Sequence, residues 1–159
     1  MSIILGIDPG TTDVGFAVIE VVRNQRTILT YGVIHTTPRV PQSEKLVEIM
    51  HDLKYILNQY EITHAAVEKL FFSTNLKTGI DVAESRWVVI AIIAEKGIPI
   101  MEYTPLQVKK ALCGNWKAEK KQIGRAVQLL FKLDAVPKPD DAADALGIAY
   151  VASLQYTLA

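Results

Sequence analysis

Little in this chain invites cross-linking, zinc or a membrane. Among its 159 residues there is one cysteine, Cys113, so no internal disulfide can form, and the three histidines stand at no spacing that suggests a zinc site. No stretch reaches the roughly 18 uninterrupted apolar residues that a membrane span needs. The opening MSIILGIDPG has neither a basic region before its apolar run nor a small-residue cleavage site after it, and reads as a first strand rather than a signal peptide. A soluble protein in the reducing cytoplasm is the expectation. Repeats, low-complexity tracts and linkers are lacking too. With hydrophobic residues at 50% of the composition, residues 1–159 are expected to form a single domain. Net charge is zero, 17 basic residues against 17 acidic ones, but the balance hides a segregation. Between Leu106 and Lys138 stand eight basic residues and two acidic ones, a net +6 set against −6 elsewhere. Such an asymmetry fits a basic surface beside an acidic site, or a solvated helix face.

What is present begins with strands. Ile3 to Ile7 is a continuous apolar run that stops at the turn signal Asp8-Pro9-Gly10. Val14 to Val22 and Thr27 to His35 are rich in β-branched residues and separated by a hairpin-sized gap, which makes the start of the chain a β-meander. Helical spacing follows over Ser43–Tyr60, with Ser43 as N-cap. Thr63 to Val67 is a short buried-type strand that ends at Glu68, and Asn75–Glu95 is a long helix with Asn75 as its cap. A fifth strand over Ile98–Glu102 and helices over Pro105–Leu112, Lys117–Leu133 and Pro139 to about Tyr156 complete the chain. The pattern predicts an α/β protein: a five-stranded mixed sheet, three antiparallel N-terminal strands plus two parallel ones, flanked by helices.

The chemistry lies in carboxylates. Asp8 and Glu68 each terminate an apolar strand, and ligands of open α/β sheets bind at such carboxyl ends. A further acidic group opens the last helix, where Asp141 and Asp144 stand three apart and Asp140 and Asp144 four apart, so either pair can share a face. Ala142, Ala143 and Ala145 would let that helix approach the sheet closely. Taken singly, each acid has an ordinary alternative: capping for the aspartates, a turn for Asp8, a surface strand end for Glu68. Their convergence does not. Carboxylates without His or Cys partners suit Mg²⁺ or Mn²⁺, and two such ions can clamp the attacking and leaving oxygens of a phosphodiester displacement. The adjacent basic segment would hold a phosphate backbone, so metal-dependent nucleic-acid hydrolysis is implied.

Several motifs, in order, resemble the RuvC family of bacterial Holliday junction resolvases within the ribonuclease H-like superfamily. They are Ile4-Leu5-Gly6-Ile7-Asp8-Pro9-Gly10, Val67-Glu68 followed by Phe71 and Asn75, Gln107-Val108-Lys109, Ala118-Glu119-Lys120, and Asp141-Ala142-Ala143-Asp144-Ala145-Leu146. The resemblance covers nearly the whole chain. It implies a catalytic, metal-binding tetrad of Asp8, Glu68, Asp141 and Asp144, with Mg²⁺ as cofactor, Mn²⁺ as substitute and two ions per site, and it leaves Asp140 as an extra acid. It implies a homodimer that nicks two strands of a four-way junction symmetrically, leaving ligatable ends, and the branch-migration proteins RuvA and RuvB as partners. It also implies an aromatic, Phe71, at unpaired bases, where stacking contributes about 1–3 kcal/mol per base. Phe72, Asn75, Arg86, Lys109, Lys117, Lys120 and Lys121 are the other candidate DNA contacts, with Trp116 free to stack or pack.

One departure concerns the long helix, where the family's Gly-Gln-Ala-Arg-Gly is replaced by Val82-Ala83-Glu84-Ser85-Arg86-Trp87. A relaxed-specificity nuclease for branched DNA, phage-encoded or not, is the alternative this change suggests. A non-catalytic binder of branched DNA is another. The turn Gly6-Ile7-Asp8-Pro9-Gly10-Thr11-Thr12 also looks like the phosphate loop of actin-like ATPases, but these need two such lobes and this chain has length for one.

Overall fold

The computed structural model describes residues 1–70 and 76–156, the side chains of residues 76 and 77 apart. Five strands, β1 (Ser2–Asp8), β2 (Asp13–Val22), β3 (Gln25–His35), β4 (His64–Glu68) and β5 (Ile100–Tyr103), form one sheet in the order β3-β2-β1-β4-β5. β1, β2 and β3 pair antiparallel, whereas β1–β4 and β4–β5 are parallel. The helices are α1 (Gln42–Gln59), α2 (Leu76–Glu95), α3 (Pro105–Cys113), α4 (Lys120–Leu130) and α5 (Asp140–Ser153), followed by one 3-10 turn over Leu154–Tyr156.

Alternation along the strands sorts the core into two layers. Because successive side chains leave a strand on opposite faces, Ile4 of β1 and Ala66 of β4 pack with α3, α4 and α5, while Leu5, Ile7, Ala65 and Val67 pack with α1 and α2. The central strands are therefore covered on both sides, which is why β1 reads as an unbroken apolar run rather than an alternating one. α5 is buried almost all round: Ala145 and Ala149 meet the sheet, and Gly147 faces Leu112 and Val127 of the helices behind.

Three helix starts differ from the sequence reading. α1 begins at Gln42, where the Pro41 carbonyl accepts from the amides of Glu44 and Lys45, so Ser43 lies inside the first turn and not at the cap. α4 starts at Lys120 and not Lys117, because Glu119 is its N-cap and its amide donates to the Gln122 side chain at 2.7 Å. Pro139 is the N-cap of α5 rather than a first-turn residue. The expected cap Asn75 lies outside the described residues. Among the described residues no helix is long and apolar enough to cross a membrane.

Candidate active site

Strand register decides where the first two acids point. Ile7 pairs with Val67 in the parallel β1–β4 ladder and both face α1 and α2. Asp8 and Glu68, one residue further along each strand, therefore project from the opposite face, toward α5. Asp141 and Asp144 lie in the first turn and a half of that helix, and one carboxylate oxygen from each of Asp8, Asp141 and Asp144 lies within 4.8 Å of the others. Glu68 is close enough to hydrogen-bond the Asp8 carboxyl and to feel the charge of Asp144. All four line one cleft of about 350 Å³.

The close approach rests on glycines. Gly15 of β2 pairs directly with Asp8 and lies beneath the first turn of α5; a Cβ there would lie 2.1 Å from the Asp141 carbonyl oxygen. Gly6 meets α5 lower down in the same way, 2.4 Å from the Ala145 carbonyl oxygen. The small residues expected on the helix side, Ala142, Ala143 and Ala145, are buried. Their counterparts on the sheet were not anticipated, because a glycine within a strand carries no signal of what packs over it.

Clustering of acids away from water is electrostatically unfavourable and shifts their protonation. Burial, reinforced by Glu68, Asp144 and Asp141, pushes the Asp8 carboxyl up to about 8. Burial and Asp144 raise Glu68 to about 7, against the opposing pull of Lys109 and Lys120. Asp144 is raised by burial too, although Lys120 counteracts it across 3.9 Å. Four oxygen donors with so little compensating positive charge form a site whose stable occupant is a hard divalent cation. Residues and group fit.

The remaining candidates divide. Lys109, in the second turn of α3, and Lys120, at the start of α4, both line the cleft, and each follows a capping box that fixes its helix start: Thr104 with Gln107, and Glu119 with Gln122. Lys121 and Arg125 border a second cavity of about 520 Å³ that opens beside Asp144. Lys117 sits in the preceding loop with its ammonium 5.6 Å from the ring of Trp116, which is exposed. Asp140 turns outward to Lys138, 2.9 Å from its Nζ, and is separate from the cluster. Phe71, Phe72 and Asn75 lie outside the described residues. Arg86 departs from the expectation of a DNA contact: it is 7% exposed, and its guanidinium is turned inward to protein acceptors. A fifth carboxylate escaped the sequence reading. Asp13 also lines the cleft and bonds His35 Nδ1 at 2.6 Å, a pairing set by the β2–β3 register that links Asp13 to His35.

A sheet of this order, with acids at the ends of its two central parallel strands and on the helix crossing them, defines a ribonuclease H-like fold bearing a cluster of carboxylates able to hold a metal ion. Residues 4–152 match the family model described as Crossover junction endodeoxyribonuclease RuvC. The chain is 44% identical over 147 residues to the RuvC of Heliobacterium modesticaldum, covering 92% of this chain and 91% of that one. It is 42% identical over 156 residues to the RuvC of Halothermothrix orenii, covering 98% and 94%. Among solved structures, Thermus thermophilus RuvC in complex with a Holliday junction substrate superposes with a TM-score of 0.90 at 30% identity, over 99% of this chain and 96% of that one. The chain belongs to the RuvC family of crossover junction endodeoxyribonucleases.

Proposed function

We propose that residues 1–159 act as a single nuclease domain that resolves four-way DNA junctions, with Asp8, Glu68, Asp141 and Asp144 as its catalytic tetrad. The observation that carries this reading is the convergence of Asp8, Asp141 and Asp144 within 4.8 Å at the mouth of a cleft rimmed by Lys109 and Lys120. The tetrad would hold Mg²⁺, with Mn²⁺ as substitute, in two positions. When bound there, such ions would supply Lewis-acid chemistry for the displacement at phosphorus. The protein's own contribution is placement. β1 and β4 present Asp8 and Glu68 from fixed rungs, α5 brings Asp141 and Asp144 down onto them, and the raised carboxyl groups of Asp8 and Glu68 give up their protons as the cations enter. Lys109 and Lys120 hold the phosphate backbone beside the reacting bond, while Lys117, Lys121 and Arg125 extend the basic track. Phe71, Phe72 and Asn75 remain the proposed contacts to bases at the branch point.

Two cuts on one junction require two sites, and the proposed homodimer supplies them. Ile80 and Trp87, seven residues apart on α2, are 55% and 63% exposed, an apolar face suited to a second copy. RuvA and RuvB are the proposed partners, in the cytoplasm. The test is incubation with a labelled four-way junction beside linear duplex, three-way and fork controls, in Mg²⁺, Mn²⁺ or EDTA. Paired, metal-dependent nicks confined to the four-way junction are expected. Cutting of every branch would replace the assignment with a relaxed branch nuclease, and binding without cutting would leave a DNA-binding module.

The lysines can be tested separately. Lys109→Ala and Lys120→Ala should each weaken junction binding about uniformly across sequences and lower the slope of log affinity against log salt by about one. Fluorescence anisotropy over a salt series measures this, and an unchanged slope would remove that residue from the phosphate contacts.

A further inference from the structure

Arg86 is a cation in the layer between α2 and the sheet, where its 7% exposure leaves the guanidinium dependent on protein partners. Two are supplied. Nε donates to the carbonyl oxygen of Glu68 at 3.0 Å, and an Nη bonds the carboxylate of Glu102. These acceptors sit on consecutive rungs at the end of the β4–β5 ladder, which runs Val67↔Glu102 and Glu68↔Tyr103. Beyond the last rung a further bond follows, from the Lys69 amide to the Tyr103 carbonyl at 2.7 Å. One side chain of α2 therefore grips the strand end where Glu68 leaves the sheet, and grips it by the backbone of Glu68 itself.

An ion pair in such a place adds little stability over an apolar pair of similar volume, because desolvating the Arg86 guanidinium offsets its attraction to a Glu102 carboxylate that stays partly in water. What it adds is geometry. A planar guanidinium with donors in fixed directions holds two acceptors at a set distance and angle in a way that leucine packing does not. Glu68 needs this more than Asp8 does: both strands have neighbours on two sides, but β1 is backed by the ten-residue β2, whereas the outer neighbour of β4 is the four-residue edge strand β5.

We propose that Arg86, with Glu102 as its anchor, is a positioning residue that sets the height and direction of the Glu68 carboxylate relative to Asp8 and Asp144. The inference rests on the nuclease reading only for its effect on cleavage; the effect on cation binding stands apart from it. Arg86 also stands next to Trp87, so the same side chain ties the proposed dimer helix to the metal centre.

The experiment compares wild type, Arg86→Met and Glu102→Gln by Mn²⁺ calorimetry, thermal unfolding in EDTA, junction binding in EDTA and cleavage over a Mn²⁺ titration. Arg86→Met is expected to weaken Mn²⁺ binding by about tenfold to a hundredfold, the range for groups that orient metal ligands. The Mn²⁺ concentration for half-maximal cleavage should rise in parallel, with junction affinity in EDTA unchanged. Glu102→Gln, which keeps the fold if the methionine variant does not, should move cation affinity in the same direction by less. Loss of junction affinity with Mn²⁺ binding intact would overturn the proposal and make Arg86 a DNA contact. A lower melting temperature with Mn²⁺ affinity unchanged in both variants would make the pair merely structural. Should the wild type bind Mn²⁺ and cut no DNA, the nuclease reading fails while the calorimetric comparison still decides the role of Arg86.

Discussion

Asp8→Asn is expected to abolish junction cleavage, by on the order of 10³-fold or more, while leaving junction binding equal or tighter and raising the melting temperature at pH 8 in EDTA. The loss follows from removing a carboxylate that would touch the cations, a role no amide fills with comparable charge. Binding survives because the substitution deletes a negative charge beside the phosphate path. The gain in stability follows from linkage. Burial and three neighbouring acids hold Asp8 at about 8 in the folded chain, far above its ordinary 3.8. Between those values the folded state binds more protons than the unfolded state, so stability from this group is full below about pH 4 and declines as pH rises through 8. Glu68, raised to about 7, adds to the same slope. At pH 8 without cations the wild type therefore carries a strain that asparagine relieves, on the order of 2 kcal/mol or about 4–8 °C for a domain of this size. Added Mg²⁺ should stabilise the wild type and leave Asp8→Asn nearly unmoved. Thermal scans at pH 6 and pH 8, each with EDTA or Mg²⁺, check the stability and its response to cation, and junction cleavage and binding assays check the rest. Equal loss of binding and cleavage would mean instead that Asp8 serves the fold.

Much of this site was legible because the acids interrupt strong patterns. Asp8 ends a run that only a doubly covered strand explains, Glu68 ends a second such run, and period-two alternation then places both on one face once the strands are neighbours. The family motifs added Asp141 in preference to Asp140, and the two aspartates do separate: Asp141 joins the cluster, whereas Asp140 reaches Lys138. Side-chain direction across elements was not legible. Arg86 looks like any helix-borne cation in the sequence, and its inward turn depends on Glu102 arriving from a strand 16 residues later. Nothing in the sequence marks Asp13 until the β2–β3 register sets His35 beside it. The cap of α1 was misplaced by two residues for a similar reason, since the Pro41 backbone carbonyl, a group every residue has, performs what Ser43 was expected to supply.

Gly6→Ala, a change of one methyl group two residues before Asp8 on β1, is expected to cost about 3 kcal/mol of stability and about 10²-fold in cleavage. The new Cβ would lie 2.4 Å from the Ala145 carbonyl oxygen, 2.7 Å from the Ala149 amide nitrogen and 2.8 Å from the Ala149 Cβ. These are atoms of a helix backbone or fixed to it, so no rotamer change relieves them, and overpacking of this kind sits at the upper end of its usual cost. Retreat of α5 is opposed too, because the Leu112 side chain packs closely over Gly147 on its far side, 2.7 Å from where a Cβ would stand. Either β1 bulges or the helix tilts, and both movements separate Asp8 from Asp141 and Asp144, where a displacement of about 1 Å suffices for a loss of about 10² in rate. Gly97→Ala is the control. At the C-terminal end of α2, on the opposite end of the sheet from the cleft, Gly97 has open space around it and a φ of +69°. Alanine there should cost about 1–2 kcal/mol through backbone conformation alone, with cleavage unchanged. Urea unfolding and single-turnover cleavage of both variants separate the two effects. If Gly6→Ala lost stability but cut junctions as fast as Gly97→Ala, the spacing between β1 and α5 would not be what holds the carboxylates together.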